Sequence, residues 1–295
     1  MFKLAPACKD NIWGGTRLHT LYGKPMPGER LAECWEVSCH CDGPSTIASG
    51  KESGRSFAEY WRESHEEDFP LLIKLIDAAE PLSVQVHPDD AYARHHGDMG
   101  KTEMWLILSA EPGAFLYYGF ERAITREEFA RRIEDNTLTE VLHKAEVHPG
   151  DVFYIPAGTI HAIGAGILLA EVQQSSNLTY RVFDYGRGRQ LHIADALEVT
   201  KLSPAESQTE PNPAENPRTL CHCDYFTVRE MNVSGEANIV PPEHSFLALM
   251  LTEGEAQLQC GSDTLHCKAG DSIFLPEGSE VCEVRGNCRI LITNQ

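Results

Sequence analysis

The sequence predicts a mainly β protein made of two similar barrels or sandwiches with short helical insertions. Glycine, proline and aspartate interrupt the chain often, and the apolar runs between them are short and rich in valine, isoleucine, leucine and aromatic residues, as is typical of strands. One short motif occurs twice. The length of 295 residues and the hydrophobic content of 42% are enough for two domains, each with its own core.

The repeated motif is the strongest internal signal. Residues 149–161 read PGDVFYIPAGTIH and residues 269–281 read AGDSIFLPEGSEV. Each copy has a Gly-Asp turn, a short apolar strand and a Pro-x-Gly turn, which together form one hairpin unit. The first copy ends in His161 where the second has Val281, so only the first keeps an imidazole there.

Domain boundaries follow from the composition between the two copies. The segment 201–219 is rich in Ser, Glu, Asn and Pro, which cannot maintain a helix or a central strand, and we interpret it as a linker. We expect a first, metal-binding domain over 1–200 and a second domain without metal over 220–295. The apolar pattern of 193–199 predicts a short helix that closes the first domain.

Two segments carry the signal of a helix start, in which Ser or Thr is followed three residues later by Glu. The pairs are Ser56 with Glu59 and Thr125 with Glu128. Apolar residues follow each pair at helical spacing. We therefore expect helical insertions near 56–65 and near 125–143.

The formal charge of −19 excludes broad classes of partner. An acidic surface repels nucleic acids and anionic membranes, so we expect neither as a partner. The chain starts with too few apolar residues for a signal peptide, and its most apolar later stretch contains Glu171 and several glycines. We expect a cytoplasmic protein without a membrane anchor.

Ten cysteines do not indicate disulfides in a chain of this size without an export signal. Cys-His-Cys occurs twice, at 39–41 and at 221–223. The gap of one residue differs from the Cys-x2-4-Cys spacing of zinc sites, so we interpret these cysteines as packing residues.

The segment from Ser83 to His87 alternates in polarity, so Ser83, Gln85 and His87 share one face of a strand. A buried polar face needs partners, which a cavity with a metal and a ligand would supply. Together with Glu103 and His161, this strand offers two imidazoles, a carboxylate and an amide oxygen, a set suited to zinc or another first-row divalent ion. The alternative is that each histidine is a hydrogen-bonded residue of a polar barrel interior.

Four ordered motifs extend this pattern. They are QVHPDD at 85–90, GKTEMW at 100–105, IPAGTIH at 155–161, and Glu171 followed ten residues later by Arg181. The Pro-x-Gly-x-x-His turn resembles the second motif of cupins, which are jelly-roll proteins. The four motifs together resemble type I mannose-6-phosphate isomerase in its short bacterial form. This resemblance implies two cupin-like jelly-roll barrels, the second of them degenerate.

The resemblance also implies a reaction and a site. The family interconverts mannose 6-phosphate and fructose 6-phosphate with one zinc ion per chain, whose ligands would fall on Gln85, His87, Glu103 and His161. Trp13 keeps the Trp-Gly pair of the family without the acidic residue before it, and we expect it to line the pocket. The partner is a small phosphorylated sugar, and the expected assembly is a monomer or a homodimer.

Isomerisation requires a base that moves a proton between two carbons and groups that stabilise an enediolate. Glu171 follows an apolar run, where partial burial would raise its pKa toward that of a base; the alternative is a surface glutamate. Lys101 shares a strand face with Glu103 and could bind a sugar hydroxyl or stabilise negative charge; the alternative is a solvated lysine.

Three arginines concentrate cations between 181 and 189 of an otherwise acidic chain, and a guanidinium suits phosphate oxygens. Arg189 is an extrapolation, with a solvated loop charge as its alternative. We assign catalysis to Glu171, Arg181 and Lys101, and substrate and phosphate binding to Ser83, Lys74, Arg187 and Trp13.

Two further functions stay open at this point. One is a cupin that binds a phosphosugar and a metal without turnover, which would follow if Glu171 lay outside the cavity. The other is an iron-dependent oxygenase of the cupin class, against which the Gln85 ligand and the arginines argue.

Overall fold

The computed structural model describes residues 1–206 and 211–295. Its described residues form two compact units. Unit 1 contains 1–10, 16–75 and 211–295, and unit 2 contains 11–15 and 76–206. This division differs from the expected boundary at residue 200, because the first strand of the chain, Phe2–Ala5, pairs with Ser272–Leu275.

The described ranges contain nineteen strands. The first five are β1 (Phe2–Ala5), β2 (Ala7–Lys9), β3 (Glu33–Val37), β4 (Thr46–Ile47) and β5 (Leu71–Ala78). The next eight are β6 (Val84–Val86), β7 (Glu103–Ala110), β8 (Phe115–Phe120), β9 (Leu142–Glu146), β10 (Val152–Ile155), β11 (His161–Ile163), β12 (Ile167–Gln174) and β13 (Tyr180–Phe183). The last six are β14 (Arg218–His222), β15 (Thr227–Ile239), β16 (Leu247–Cys260), β17 (Asp263–Lys268), β18 (Ser272–Leu275) and β19 (Cys282–Asn294).

Five short α-helices accompany the strands. They are α1 (Arg17–Tyr22), α2 (Phe57–Arg62), α3 (Asp90–Ala93), α4 (Arg126–Glu134) and α5 (Ile193–Val199), with single 3-10 turns at Arg94–His96 and Leu138–Glu140. The prediction of a mainly β protein with short helical insertions is therefore confirmed. None of the helices in the described ranges combines the length and the apolar character that crossing a membrane requires.

Unit 1 is built on one antiparallel sheet with the strand order β14-β15-β19-β16-β18-β1-β4, and β17 pairs with β16. The second copy of the repeated motif forms β18, whose four residues are all buried. The interior cluster of this sheet consists of aliphatic side chains, methionine and cysteine, among them Leu249, Leu258 and Val284. An apolar interior of this kind is what the missing histidine at Val281 predicts.

Unit 2 contains a five-stranded sheet with the order β13-β6-β11-β8-β9 and the paired strands β10-β7-β12. Val84 and Val86 of β6 point into an apolar cluster that also contains Phe129 of α4 and Ala196 of α5. The strand therefore has its apolar and polar faces as predicted: the two valines lie on one face, and Ser83, Gln85 and His87 lie on the opposite face.

The two predicted helix-start signals differ in whether the first residue caps the helix with its side chain. The Thr125 hydroxyl accepts a hydrogen bond from the Glu128 backbone N–H at 3.1 Å, as predicted, whereas Ser56 begins α2 without a side-chain cap. Helix α4 ends at Glu134, and the insertion expected up to residue 143 is shorter, because β9 begins at Leu142 and pairs with β8. The predicted closing helix over 193–199 is confirmed as α5.

This contrast gives a stability prediction. Thr125→Ala removes a cap and should lower the free energy of unfolding by about 1 kcal/mol, whereas Ser56→Ala should change it much less. Chemical denaturation of both variants and the wild type measures the difference. Equal losses for the two variants would contradict the assignment of the caps.

The linker predicted over 201–219 falls partly on residues outside the described ranges, at 207–210. On either side of them, Pro204 forms an isolated bridge with Gly119, and β14 begins at Arg218.

Candidate functional site

Three ligand-type side chains meet inside unit 2. The ligand atoms of His87, Glu103 and His161 all lie within 4.8 Å of one another, and each side chain is at most 1% exposed. His87 follows β6, Glu103 opens β7 and His161 opens β11. The fold thus brings together residues that are far apart in the sequence, and we call them the His-Glu-His group.

Backbone carbonyls fix the orientation of both imidazoles. His87 Nδ1 lies 2.8 Å from Leu178 O, and His161 Nδ1 lies 2.9 Å from Thr159 O. A carbonyl only accepts, so in each ring Nδ1 carries the hydrogen and Nε2 presents its lone pair. Both Nε2 atoms face Glu103: His161 Nε2 is 3.1 Å and His87 Nε2 is 3.8 Å from Glu103 Oε1.

This arrangement fits a divalent cation. Burial, followed by the positive charge of Lys101, lowers the pKa of His161 to about 4, so the ring is neutral at pH 7. Its Nε2 then presents a lone pair toward the Glu103 side chain, with Oε1 at 3.1 Å. A cation between these two atoms would be coordinated by both, and two imidazoles with one carboxylate are a common ligand set of catalytic zinc.

Gln85 lies beside the His-Glu-His group. It is directly opposite His161 where β11 pairs with β6, and opposite Arg181 where β13 pairs with β6. Its side-chain oxygen accepts from Ser83 Oγ at 3.4 Å, and Ser83 Oγ in turn accepts from Arg181 Nε at 3.1 Å. The predicted ligand Gln85 is therefore connected to Ser83, a predicted substrate residue, and through it to Arg181, a predicted catalytic residue.

Lys101 is buried against the same group. Its Nζ donates to Glu103 Oε2 at 2.8 Å and lies 3.0 Å from His87 Nε2. The surface alternative for this lysine is thus wrong, and its ammonium group favours the ionised form of Glu103. A cation bound to the same two side chains would lie beside this ammonium.

Glu171 is also buried, with 3% of its surface exposed, so the alternative of a surface glutamate is wrong. Its Oε2 accepts from Trp105 Nε1 at 2.7 Å, because the two residues are directly opposite each other on β12 and β7. The Trp105 ring stands edge-on to the His161 ring with a centroid distance of 5.3 Å. Trp105 therefore contacts both Glu171 and His161 of the His-Glu-His group.

The three arginines of β13 and of the segment after it have different hydrogen-bond partners. Arg189 donates to both oxygens of Asp184, at 2.9 and 2.5 Å, which neutralises its charge. Arg187 donates to Pro81 O, and its guanidinium lies 5.1 Å from the Tyr185 ring centroid. Arg181 donates to Gln190 O at 3.0 Å besides Ser83.

Lys74 and Trp13 are the two remaining residues that were predicted to bind substrate. Lys74 belongs to unit 1, where its Nζ lies 3.9 Å from Glu33 Oε2 and 5.4 Å from the Trp35 ring centroid. Trp13 is buried in unit 2, and its carbonyl accepts from Glu80 N at 3.0 Å. Their roles at the substrate stay predictions.

A second group of ligand-type atoms lies in unit 1, at His40, Cys41 and Asp42. Cys41 and Asp42 are exposed, and His40 Nδ1 already accepts from Asp42 N at 3.1 Å. These residues form a short turn of adjacent positions. The interpretation of the two Cys-His-Cys segments as packing residues holds for Cys39 and Cys221, which are buried, whereas Cys41 is exposed and Cys223 is half-buried.

Sequence reasoning assigned no role to several residues at the site. Trp105 stands two positions after Glu103, a spacing that places it on the same strand face and could have identified it. Gln173 lies directly opposite Glu103, and its amide nitrogen donates to Gln174 O and Ser176 O. Asp184, which pairs with Arg189, gave no signal in the sequence.

Known proteins resemble the chain over its whole length. The family model "Phosphomannose isomerase type I, catalytic domain" matches residues 1–106, and "Mannose-6-phosphate isomerase, cupin domain" matches residues 216–294. Mannose-6-phosphate isomerase ManA of Bacillus subtilis is 37% identical, over 98% of this chain and 97% of that protein. Mannose-6-phosphate isomerase of Streptococcus mutans is 36% identical, over 96% of this chain and 94% of that protein.

Solved structures agree with this similarity. A crystal structure of mannose 6-phosphate isomerase from Bacillus subtilis has a TM-score of 0.93 and 34% identity, and covers 99% of this chain and 98% of that one. A mutant of phosphomannose isomerase from Salmonella typhimurium has a TM-score of 0.81 at 19% identity, with 99% of each chain covered, which shows a shared fold.

Proposed function

The chain belongs to the type I phosphomannose isomerase family, and from this premise we propose that it interconverts mannose 6-phosphate and fructose 6-phosphate at the His-Glu-His group. The observation that carries the proposal is that Trp105 connects buried Glu171 to this group, since its indole donates to the Glu171 carboxylate and its ring contacts the His161 ring. The relatives are named as isomerases, and no observation favours a binding protein without turnover.

Glu171 is the proposed base. The reaction moves a proton between C1 and C2 of the sugar, and one carboxylate on one face of the enediolate can remove it and return it. The Trp105 hydrogen bond fixes Oε2, so the carboxylate keeps one orientation during both transfers. Glu171 is 3% exposed, so bulk water has little access to its carboxylate.

We propose zinc as the ion, one per chain, held by Gln85, His87, Glu103 and His161. When bound, it would polarise or orient the sugar oxygens. Lys101 contributes a second positive charge at the same place, where it donates to an oxygen that becomes negative in the enediolate. Arg181, anchored on Ser83, is placed to support the same charge.

The phosphate is proposed to bind near Ser83 and Arg187, with Lys74 and Trp13 as further substrate residues. Ser83 and the Pro81 carbonyl that holds Arg187 are two residues apart, so both groups lie at the start of β6. An arginine at this position can offer two N–H groups to phosphate oxygens.

The direct test is turnover. Purified protein with measured zinc content is incubated with mannose 6-phosphate, and fructose 6-phosphate is followed with a coupled enzyme assay. Conversion in both directions is expected. A fully loaded protein that binds the sugar phosphate without converting it would establish the non-catalytic alternative instead.

Arg187→Ala should raise KM for mannose 6-phosphate by about tenfold or more and change kcat much less, because a charge-assisted hydrogen bond to phosphate contributes similarly in the ground and transition states. Steady-state kinetics and inhibition by inorganic phosphate measure this effect. Arg126→Ala is the control, since its guanidinium pairs with Glu198 on the surface. An equal KM increase in the control would contradict the assignment.

Lys101→Met should lower kcat by about 100-fold, the typical cost of removing one group that stabilises an oxyanion. Its zinc affinity should be equal to or higher than that of the wild type, because an ammonium that competes for His87 and Glu103 is removed. Zinc titration with a competing chelator gives the affinity. Zinc loss together with activity would show that Lys101 supports the ligands instead.

The cytoplasm is the proposed location. All ten cysteines fall within the described ranges and all are free thiols, which suits a reducing compartment.

A further inference from the structure

The three residues that lead into β7 are held by their backbone. The Gly100 N–H donates to Asp90 Oδ1 at 2.8 Å, the Lys101 N–H to Pro88 O at 3.0 Å, and the Thr102 N–H to Gln174 Oε1 at 2.9 Å. Three consecutive peptide groups are thus fixed to three different partners. Lys101 is the middle residue of this segment.

Asp90 and Gln174 are also bonded to each other. Gln174 Nε2 donates to Asp90 Oδ1 at 3.0 Å, so this single oxygen accepts from both Gly100 and Gln174. The Gln174 N–H donates to Thr102 O at 3.1 Å, which holds the glutamine in place. The two side chains form one bridge from Gly100 to Thr102, with Lys101 between its ends; we call it the Asp90-Gln174 bridge.

The packing of Gly100 shows how closely this segment fits against α3. A Cβ atom at residue 100 would lie 2.5 Å from Asp90 N and 2.7 Å from Asp89 C, which are backbone atoms that cannot move aside. The segment therefore touches the first turn of α3 directly. One more hydrogen bond holds this segment, in which the Thr102 hydroxyl accepts from Ala157 N at 3.3 Å.

A fixed backbone matters most for the residue in the middle. Lysine has a long, flexible side chain, and its ammonium reaches a defined position only if its Cα is held and the stem is packed. Lys101 is 4% exposed, and its Nζ contacts His87 and Glu103. Asp90 and Gln174 hold the backbone on both sides of Lys101, so they can act on the His-Glu-His group through the segment 100–102.

We propose that Asp90 and Gln174 are positioning residues of the isomerase, which hold the backbone on both sides of Lys101 so that its ammonium faces the reacting oxygens. This inference rests on the proposed function, because it takes Lys101 as a catalytic group. It adds two residues whose hydrogen bonds fix the segment directly before the proposed metal ligand Glu103.

The test compares substitutions of Asp90. Asp90→Ala removes the acceptor and should lower kcat by about 10- to 100-fold, the range expected from a misplacement near 1 Å. KM should change by less than about threefold, because the proposed phosphate residues are untouched. Asp90→Asn should retain most of kcat, since an amide oxygen can accept from both Gly100 and Gln174. Loss in the alanine variant with rescue in the asparagine variant supports the bridge.

Asp89→Ala is the matched control. Asp89 also belongs to the first turn of α3, where it accepts from Tyr92 N at 2.9 Å, but it makes no bond to the segment 100–102. Its variant should lose some stability and keep its kcat. A kcat loss equal to that of Asp90→Ala would overturn the proposal in favour of a general effect on α3.

A double substitution separates positioning from folding. If Asp90 acts through Lys101, Asp90→Ala adds no further loss of kcat in a Lys101→Met background, because the group that it positions is gone. Additive losses would overturn the proposal. A wild type inactive on mannose 6-phosphate would refute the proposed function itself, whereas an active wild type with a fully active Asp90→Ala variant would refute only the bridge.

Discussion

Glu103→Gln is expected to remove the metal and the activity together. Glutamine keeps the size of the side chain but removes the charge that faces both His87 Nε2 and His161 Nε2. Loss of an outer partner of a zinc site already lowers affinity by about 10- to 100-fold, so loss of the only carboxylate in the group should cost at least about 100-fold.

The substitution has a second consequence at Lys101. In the wild type, Lys101 donates to the Glu103 carboxylate at 2.8 Å. In the variant, the buried ammonium group would face a neutral amide instead. Added zinc should therefore restore little activity, even at concentrations far above the wild-type requirement.

Zinc per chain is measured by mass spectrometry after dialysis against a weak chelator, in parallel with kcat. We expect about one zinc in the wild type, and a fraction of one in the variant. A Glu103→Gln variant that keeps a full equivalent of zinc would contradict the ligand assignment.

Glu171→Gln is expected to keep the metal and lose turnover. The amide retains the size of the carboxylate and can still accept from Trp105, but it cannot take a proton from carbon. Positioned general bases contribute about 10²- to 10⁴-fold, so a loss of kcat in this range is expected.

The measurement is kcat together with exchange of the sugar C–H hydrogen with deuterium from solvent, which reports proton removal even when no product is released. Both should fall in parallel, with zinc content unchanged. Glu146→Gln, an exposed glutamate at the end of β9, is the control and should be fully active. Exchange at the wild-type rate in Glu171→Gln would show that another group is the base.

Local patterns in the sequence predict much of this site. The alternation from Ser83 to His87 predicts the polar face of β6, and the repeated motif predicts both the histidine turn and its apolar second copy. These predictions succeed because strand alternation and turn residues depend on neighbours only a few positions apart. The resemblance of four motifs then implies that Gln85, His87, Glu103 and His161 act together as the ligands of one ion.

Long-range arrangement is what the sequence does not predict. The grouping of residues 1–10 and 16–75 with the C-terminal strands depends on pairing between β1 and β18, which no local pattern encodes. The role of Asp90 is missed for the same reason, since its partner Gln174 lies on β12, far along the chain. Lys74 was assigned to phosphate from its charge, while its described neighbours are Glu33 and Trp35.

The apolar cluster of unit 1 has a consequence for how the sequence of this protein can change in evolution. The apolar cluster of unit 1 contains no proposed catalytic group, so packing alone constrains its side chains, whereas the His-Glu-His group of unit 2 must keep its polar side chains for the reaction. The two units are therefore under different constraints: stability alone limits the apolar cluster of unit 1, whereas both stability and activity limit the interior of unit 2. Substitutions that raise the free energy of unfolding without lowering kcat should concentrate in the apolar cluster of unit 1.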